Sequence, residues 1–186
     1  MKKLIAYLFL LFITFSVSAQ TSLETAVLSE LNSYRSKNGL CTLSADKNLY
    51  LWAGYHSKYL AKLNLMGLVD VTHDEKIDIP DWKELNYDQR ASEFNKSGSD
   101  NHFTGEVQMR SLTVLPGTSE RDIAKRAIQE FHDSYKHREI IRKEYDTEYD
   151  LPIVGIAVIK NQNKVAGNDI YTIVIDLGVK FNYYQK

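Results

Sequence analysis

The carboxy-terminal stretch of the chain limits its fold more than any other. Residues 153–159 (IVGIAVI) and 170–179 (IYTIVIDLGV) are dominated by Ile and Val and read as two strong strands. The connection between them is polar and holds Gly167 and Asn168, which predicts a hairpin. Helical patterns come first in the chain. Thr21 and Glu24 make a capping box, and Leu23, Val27, Leu31 and Tyr34 recur at helical spacing until Asn38-Gly39. Asp46 is placed to cap a second helix with Leu49, Trp52, Ala53, His56, Leu60 and Leu63 on one face, closed by Gly67. A short helix is expected over 87–94 and a strand over 106–115, the latter ended by Pro116-Gly117. Ser119 and Asp122 cap a further helix that turns Ile123, Ala127, Ile128 and Phe131 inward, and a last helical segment is expected near 138–143. This order predicts an α+β domain, a sheet with helices packed on it.

The first residues carry a separate message. Lys2 and Lys3 precede an apolar run over 4–17, and Ser16-Val17-Ser18-Ala19 offers the small residues a signal peptidase reads. Residues 1–19 are therefore expected to be a cleavable signal, leaving 20–186 as one domain that is secreted or periplasmic. The run is short for a membrane span and no later segment is long enough, so no stable membrane insertion is expected after cleavage. Removing Lys2 and Lys3 moves the formal charge from −1 to −3, 21 basic residues against 24 acidic. No basic stripe tracks phosphates, which argues against nucleic acid as a partner. Cys41 is the one cysteine, so no intrachain disulfide can form and stability must come from packing. Its thiol is expected to be buried and unreactive.

Three segments could carry chemistry: Val71-Thr72-His73, Gly105-Glu106, and the run from Phe131 to Arg138. Two imidazoles and a carboxylate would suit a borderline cation such as zinc. Ser134 and His137, three apart, would share a face on a continuing helix. His132 and His137, five apart, would not. Each residue also has a plainer reading, His73 as a loop histidine and Glu106 as a strand-edge charge. His56, on the apolar stripe, reads as a core histidine. There is no Gly-x-Ser-x-Gly elbow, and no catalytic residue is assigned. The polar segment over 69–104, rich in Asp, Asn and Ser, is the expected site wall.

Taken in order, these pieces resemble the CAP superfamily of cysteine-rich secretory, antigen 5 and pathogenesis-related proteins, in its bacterial secreted branch. The resemblance runs through residues 27–35 (VLSELNSYR), Asn38-Gly39-Leu40, Leu43, Asp46, Leu49 and residues 53–57 (AGYHS). It continues through Thr72-His73, Arg90, Gly105-Glu106, residues 134–138 (SYKHR) and 154–158 (VGIAV). It implies a three-layer α-β-α sandwich with a central, mainly antiparallel sheet. It also implies a cleft in which His73, Glu106 and His137 match the family's metal-cleft positions, with Ser134 in place of a second glutamate. Val107 and Ile140 stand where the family pattern has Asn. Without the second carboxylate, any zinc held by His73 and His137, with Glu106 nearby, is expected to bind weakly, and no cofactor is required. The expected function is a binding or interaction module for a small molecule, lipid or peptide. The alternative is a metal-assisted hydrolase with Glu106 as base, and a third reading has Glu106 bridging His137 as a structural relic.

Overall fold

The computed structural model describes residues 20–68, 73, 85–98 and 100–181. The expected signal over 1–19 and the Val71-Thr72 pair lie outside the described residues. The elements are α1 (Ser22–Lys37), β1 (Ser44–Ala45), α2 (Lys47–Leu65), α3 (Tyr87–Lys96), β2 (Asn101–Val114), α4 (Glu120–Asp133), α5 (Tyr135–Ile141), β3 (Asp150–Val165) and β4 (Asn168–Phe181). Among the described residues the sheet runs β1-β3-β4-β2, with β4 antiparallel to both β3 and β2 and the short β1 parallel to β3. The fold is α+β, with a mainly antiparallel sheet.

Its layers follow from burial on both sheet faces. On one side Val27 and Leu31 of α1 and Ile123, Ala127 and Phe131 of α4 pack against Ile156, Ile173, Ile175 and Leu177. On the other, Ala53, Tyr59, Leu60 and Leu63 of α2 meet Ala157 and Val174, while Leu49 joins Phe94, Phe103 and Ile153. Neighbours such as Ile156 and Ala157 are thus buried on opposite faces, which is why these strands read as continuous apolar runs.

The caps fix how the helices meet the sheet. Thr21 Oγ1 accepts from the Glu24 amide, and Glu24 Oε2 accepts from the Thr21 amide at 2.7 Å. The other Glu24 oxygen accepts from the Val158 amide at 3.1 Å, so the cap also ties α1 to the β3 edge beyond β1. Asp46 Oδ1 accepts from the Asn48 and Leu49 amides, as the sequence predicts. Arg35, fully buried, donates to the carbonyls of Cys41, Ile141 and Lys143 at 2.8, 2.8 and 3.0 Å. It pins α1 to the C-terminal end of α5.

Several expectations need correction. Strand β2 begins at Asn101, not 106, because Phe103 is already packed in the core beside Phe94. The helix carrying Phe131 ends at Asp133. Ser134 has an extended backbone (φ −79, ψ 117), so α5 starts afresh at Tyr135, and Ser134 and His137 do not sit on one continuing helix. Cys41 is half-buried rather than buried, with Arg35 Nη2 3.7 Å from its sulfur.

The first turn of α2 lies directly on β3 at Gly155, where an added Cβ would fall 2.1 Å from the Leu49 carbonyl carbon. That obstacle is backbone and cannot swing aside. Gly155→Ala is expected to destabilise the domain by about 3 kcal/mol in chemical denaturation. Gly54→Ala, in the interior of α2 with open space around it, is expected to add about 1 kcal/mol. Equal effects from the two would disprove the close approach.

Candidate functional site

The site is built on Glu106, whose side chain has no solvent exposure. Arg90 on α3 reaches it through Nη2, 3.2 Å from Oε1 and 3.1 Å from Oε2. The guanidinium is itself held in place, donating from Nη1 to the Leu85 carbonyl at 2.7 Å and from Nη2 to the His73 carbonyl at 2.8 Å. An Asn86–Gln89 capping box fixes the start of α3 and hence the position of Arg90. His73 Nδ1 donates to Glu106 Oε1 at 2.7 Å. From below, His56 Nε2 lies 3.7 Å from the same oxygen and 2.6 Å from Gln108 Oε1. Glu106 and Gln108, two apart on β2, face the same side of the sheet.

Directly across the strand pair from Glu106 is Asp176 of β4, 1% exposed. Its carboxyl oxygens accept from no donor among the described residues, and the group within hydrogen-bonding reach of the acid is the Glu106 carboxylate. Two buried carboxylates side by side cannot both ionise cheaply. Burial pulls the Glu106 pKa up, but His56, the His73 hydrogen bond and Arg90 together outweigh it and hold the group at about 2. Burial, and then the Glu106 charge, push Asp176 well above the usual carboxylate range. Glu106 is the anion and Asp176 the neutral acid.

A cleft of about 390 Å³ opens over this cluster, lined by His73, Tyr87, Asp88, Glu106 and Ile140. Tyr87 stands edge-on to His73 and to Phe103, linking the cleft to the core. Burial, then the charges of Glu106 and Asp176, push its hydroxyl up to about 12, so it is a hydrogen-bond donor at any ordinary pH. The structure brings His73 and Glu106 together. Ser134 and His137 are not among its lining residues, although His137 lies near enough to His73 to feel its charge. His137 packs its ring on Phe131, and burial followed by the charge of His73 lowers its pKa. The acid expected as a possible bridge to His137 is thus engaged by Arg90, His73 and His56 instead.

Zinc needs open lone pairs on several converging ligands. Both Glu106 oxygens already accept from Arg90, and Nδ1 of His73 is spent on Oε1. Among the described residues no three His, Cys, Asp or Glu side chains gather as a metal-ligand set. As arranged, these donors do not fit a zinc centre.

Reading the sequence alone undervalued three members of the cluster. His56 reads as a core histidine, and it is fully buried, but against an anion. Arg90 enters only through the family resemblance. Asp176 has the clearest missed signal, a lone acid within a ten-residue apolar strand.

No family model and no curated protein matches the chain. Among solved structures, an outer surface protein from Borrelia burgdorferi is similar, with a TM-score of 0.51 and 19% identity over 88% of this chain and 96% of that chain. The likeness is one of fold.

The two carboxyls predict opposite pH limbs. Glu106, lowered from 4.5 to about 2, contributes stability that is complete above about pH 4.5 and is lost as pH falls toward 2. Asp176, raised above 3.8, contributes stability that is complete below about pH 3.8 and is lost as pH rises through its folded value. Glu106→Gln is expected to cost about 3 kcal/mol or more at pH 7, since it leaves Arg90 buried without its counter-charge. Asp176→Asn, which mimics the neutral acid, should match the parent near pH 4 and equal or exceed it at pH 8. Denaturant titrations across this pH range check both, and an Asp176→Asn variant that loses stability at pH 8 would show that the ionised acid is needed.

Proposed function

We propose that this chain is an exported binding module of CAP-like design, whose cleft beneath His73 receives a small molecule, lipid or peptide group. The observation that carries this reading is the saturation of Glu106. A general base needs a free lone pair and a pKa near the working pH. Glu106 has its oxygens on Arg90 and His73, and its pKa lies near 2. That favours a binding role over a hydrolase with Glu106 as base. The cleft lining combines Tyr87, the exposed Asp88 and the half-exposed His73 imidazole with the apolar Ile140. Such a mixed wall suits a ligand with one polar end and one apolar flank.

Export is supported by the basic start, apolar run and small-residue cleavage pattern of residues 1–19. The fold likeness to a Borrelia outer surface protein agrees with a place outside the cytoplasm. The CAP-like reading rests on the ordered motif series and on helices layered on both sides of a mainly antiparallel sheet. Zinc, in this reading, is a weak outside ligand of His73 and His137 and no part of the resting site.

Two measurements test the proposal. Glu106→Gln should lower the thermal midpoint, and the parent should turn over neither model esters nor model peptides. Turnover by the parent that vanishes in Glu106→Gln at an unchanged midpoint would establish the hydrolase instead. Millimolar zinc is expected to shift the His73 and His137 resonances together while leaving the midpoint within a degree or so, for a ligand present near its Kd adds little stability. A large zinc-dependent rise in the midpoint would mean a resident metal site.

A further inference from the structure

Beside the cleft, helices α2 and α3 border a second concavity. Two hollows of about 500 and 600 Å³ meet at Trp52 of α2 and at Glu93 and Lys96 of α3, and together they form one groove along the helix pair. The groove shares Asp88 with the cleft and none of the other described residues that line it. Trp52 packs on the Leu49, Phe94, Phe103 and Ile153 cluster yet stays part-exposed, with the Tyr55 ring edge-on to it at 6.3 Å. The indole is therefore held by the core while it still reaches solvent. It is a fixed aromatic platform between two hollows.

Around that ring the wall is polar and close to neutral. Asn86 Oδ1 accepts from the Gln89 backbone amide at 2.8 Å, and Gln89 Oε1 accepts from the Asn86 backbone amide at 2.9 Å. Both side-chain carbonyls are thus committed to the cap, which leaves both NH2 groups as donors. Neither NH2 group has a hydrogen-bond partner among the described residues. Asn48 is the reverse case. Its Nδ2 donates to Ser97 Oγ at 3.3 Å and leaves the amide oxygen as an acceptor, while Ser97 is itself fixed on the Phe94 carbonyl at 2.6 Å. Glu93 and Lys96 pair with each other at 3.0 Å. Asp88 is exposed and has no ion-pair partner among the described residues.

This composition selects the class of ligand. A lipid tail would desolvate the amides and carboxylates without replacing their hydrogen bonds. A nucleic acid or other polyanion would meet Asp88 and Glu93. An extended peptide is recognised by a strand edge, whereas the walls here are helices whose backbone groups bond within themselves. A pyranose ring presents an apolar C–H face and a rim of hydroxyls, each both donor and acceptor. The face matches Trp52, and the rim matches planar side chains whose free atoms are donors at Asn86 and Gln89 and acceptors at Asp88 and Asn48. Two hollows on one ring leave room for more than a single sugar. We propose that the α2–α3 groove binds a neutral oligosaccharide, with one sugar ring laid on Trp52. Asn86, Gln89 and Asp88 hold its hydroxyls in one hollow, and Asn48 holds those of the neighbouring unit in the other.

The test titrates the full chain, as recovered from producing cells, with cellotetraose, maltotetraose, mannotetraose and chitotetraose at up to millimolar concentration. Indole resonances report the place of binding, with Trp52→Phe assigning the Trp52 signal, and calorimetry reports the affinity. At least one of the four sugars is expected to shift the Trp52 indole signal saturably, and Trp52→Ala should weaken its binding by at least about tenfold. Because Trp52 also packs on the core, a second variant separates binding from folding. Asn86→Asp/Gln89→Glu keeps both cap acceptors and removes both amide donors. It should lose at least about tenfold in affinity at an unchanged thermal midpoint. The proposal is overturned if none of the four sugars shifts the Trp52 signal, or if Asn86→Asp/Gln89→Glu binds as the parent does. A sugar that shifts His73 and leaves Trp52 unmoved also overturns it, placing the ligand in the cleft. So does a Trp52 shift caused by trilysine and by none of the sugars, which assigns the groove to a cationic ligand.

Discussion

The buried ion pair between Arg90 and Glu106 is the contact around which the site is organised. An isolated charge in such a place costs several kcal/mol, and a pair is tolerated only when the remaining polar atoms are satisfied. Here the surplus guanidinium hydrogens go to the Leu85 and His73 carbonyls. One side chain therefore joins α3, the His73 backbone and β2. The same arrangement presents the His73 ring to Glu106, so the imidazole at the cleft mouth is aligned from both ends. Asp176 completes the electrostatics by staying neutral. A second anion beside Glu106 would compete for the cations that hold the first.

This cluster depends on core packing some distance away. Gly155 lets the first turn of α2 lie on β3 with no side chain between them, which sets the depth of the whole helix. His56, about two turns beyond Leu49, then falls level with Glu106 and Gln108. Leu49, at the point of contact, packs with Phe94 of α3 and Phe103 of β2. The residues that seat α2 and those that seat Arg90 thus share one small aromatic cluster. The apolar contacts on this side of the sheet and the polar contacts of the site form one unit, so a shift in either is felt by both.

Much of the fold was legible in the sequence because its signals are local. Thr21, Asp46, Ser119 and the two apolar strands announce elements through caps and side-chain periodicity, and the structure places helices and strands there. What was not legible depends on direction or on distant partners. The run from Phe131 to Arg138 keeps a helical composition, yet Ser134 breaks it. The break lets Ile140 meet Gly105 and lets the Ile141 carbonyl meet Arg35. Periodicity records which residues are buried, not where a helix turns. The site shows the same division. His73 and Glu106 were visible as chemically suitable types, but whether Glu106 is free or saturated depends on Arg90, sixteen residues away, and on α2.

The lack of acids in α2 has two consequences that belong together. Toward the interior, His56 has no acidic neighbour on its own helix, and Glu106 of β2 supplies the nearby negative charge. That long-range attraction is one of the forces holding Glu106 ionised although it is buried. Toward solvent, the helix offers Lys58 and Lys62 no acid of its own within three or four residues, so partners for its lysines come from other segments. A single compositional choice therefore bears on both sides of the helix. An acid introduced on the exposed side of α2 would have small structural cost, since exposed ion pairs contribute little. An acid introduced beside His56 would instead set a second carboxylate close to the buried Glu106 anion. The two faces of α2 are separable by mutation even though one helix carries both.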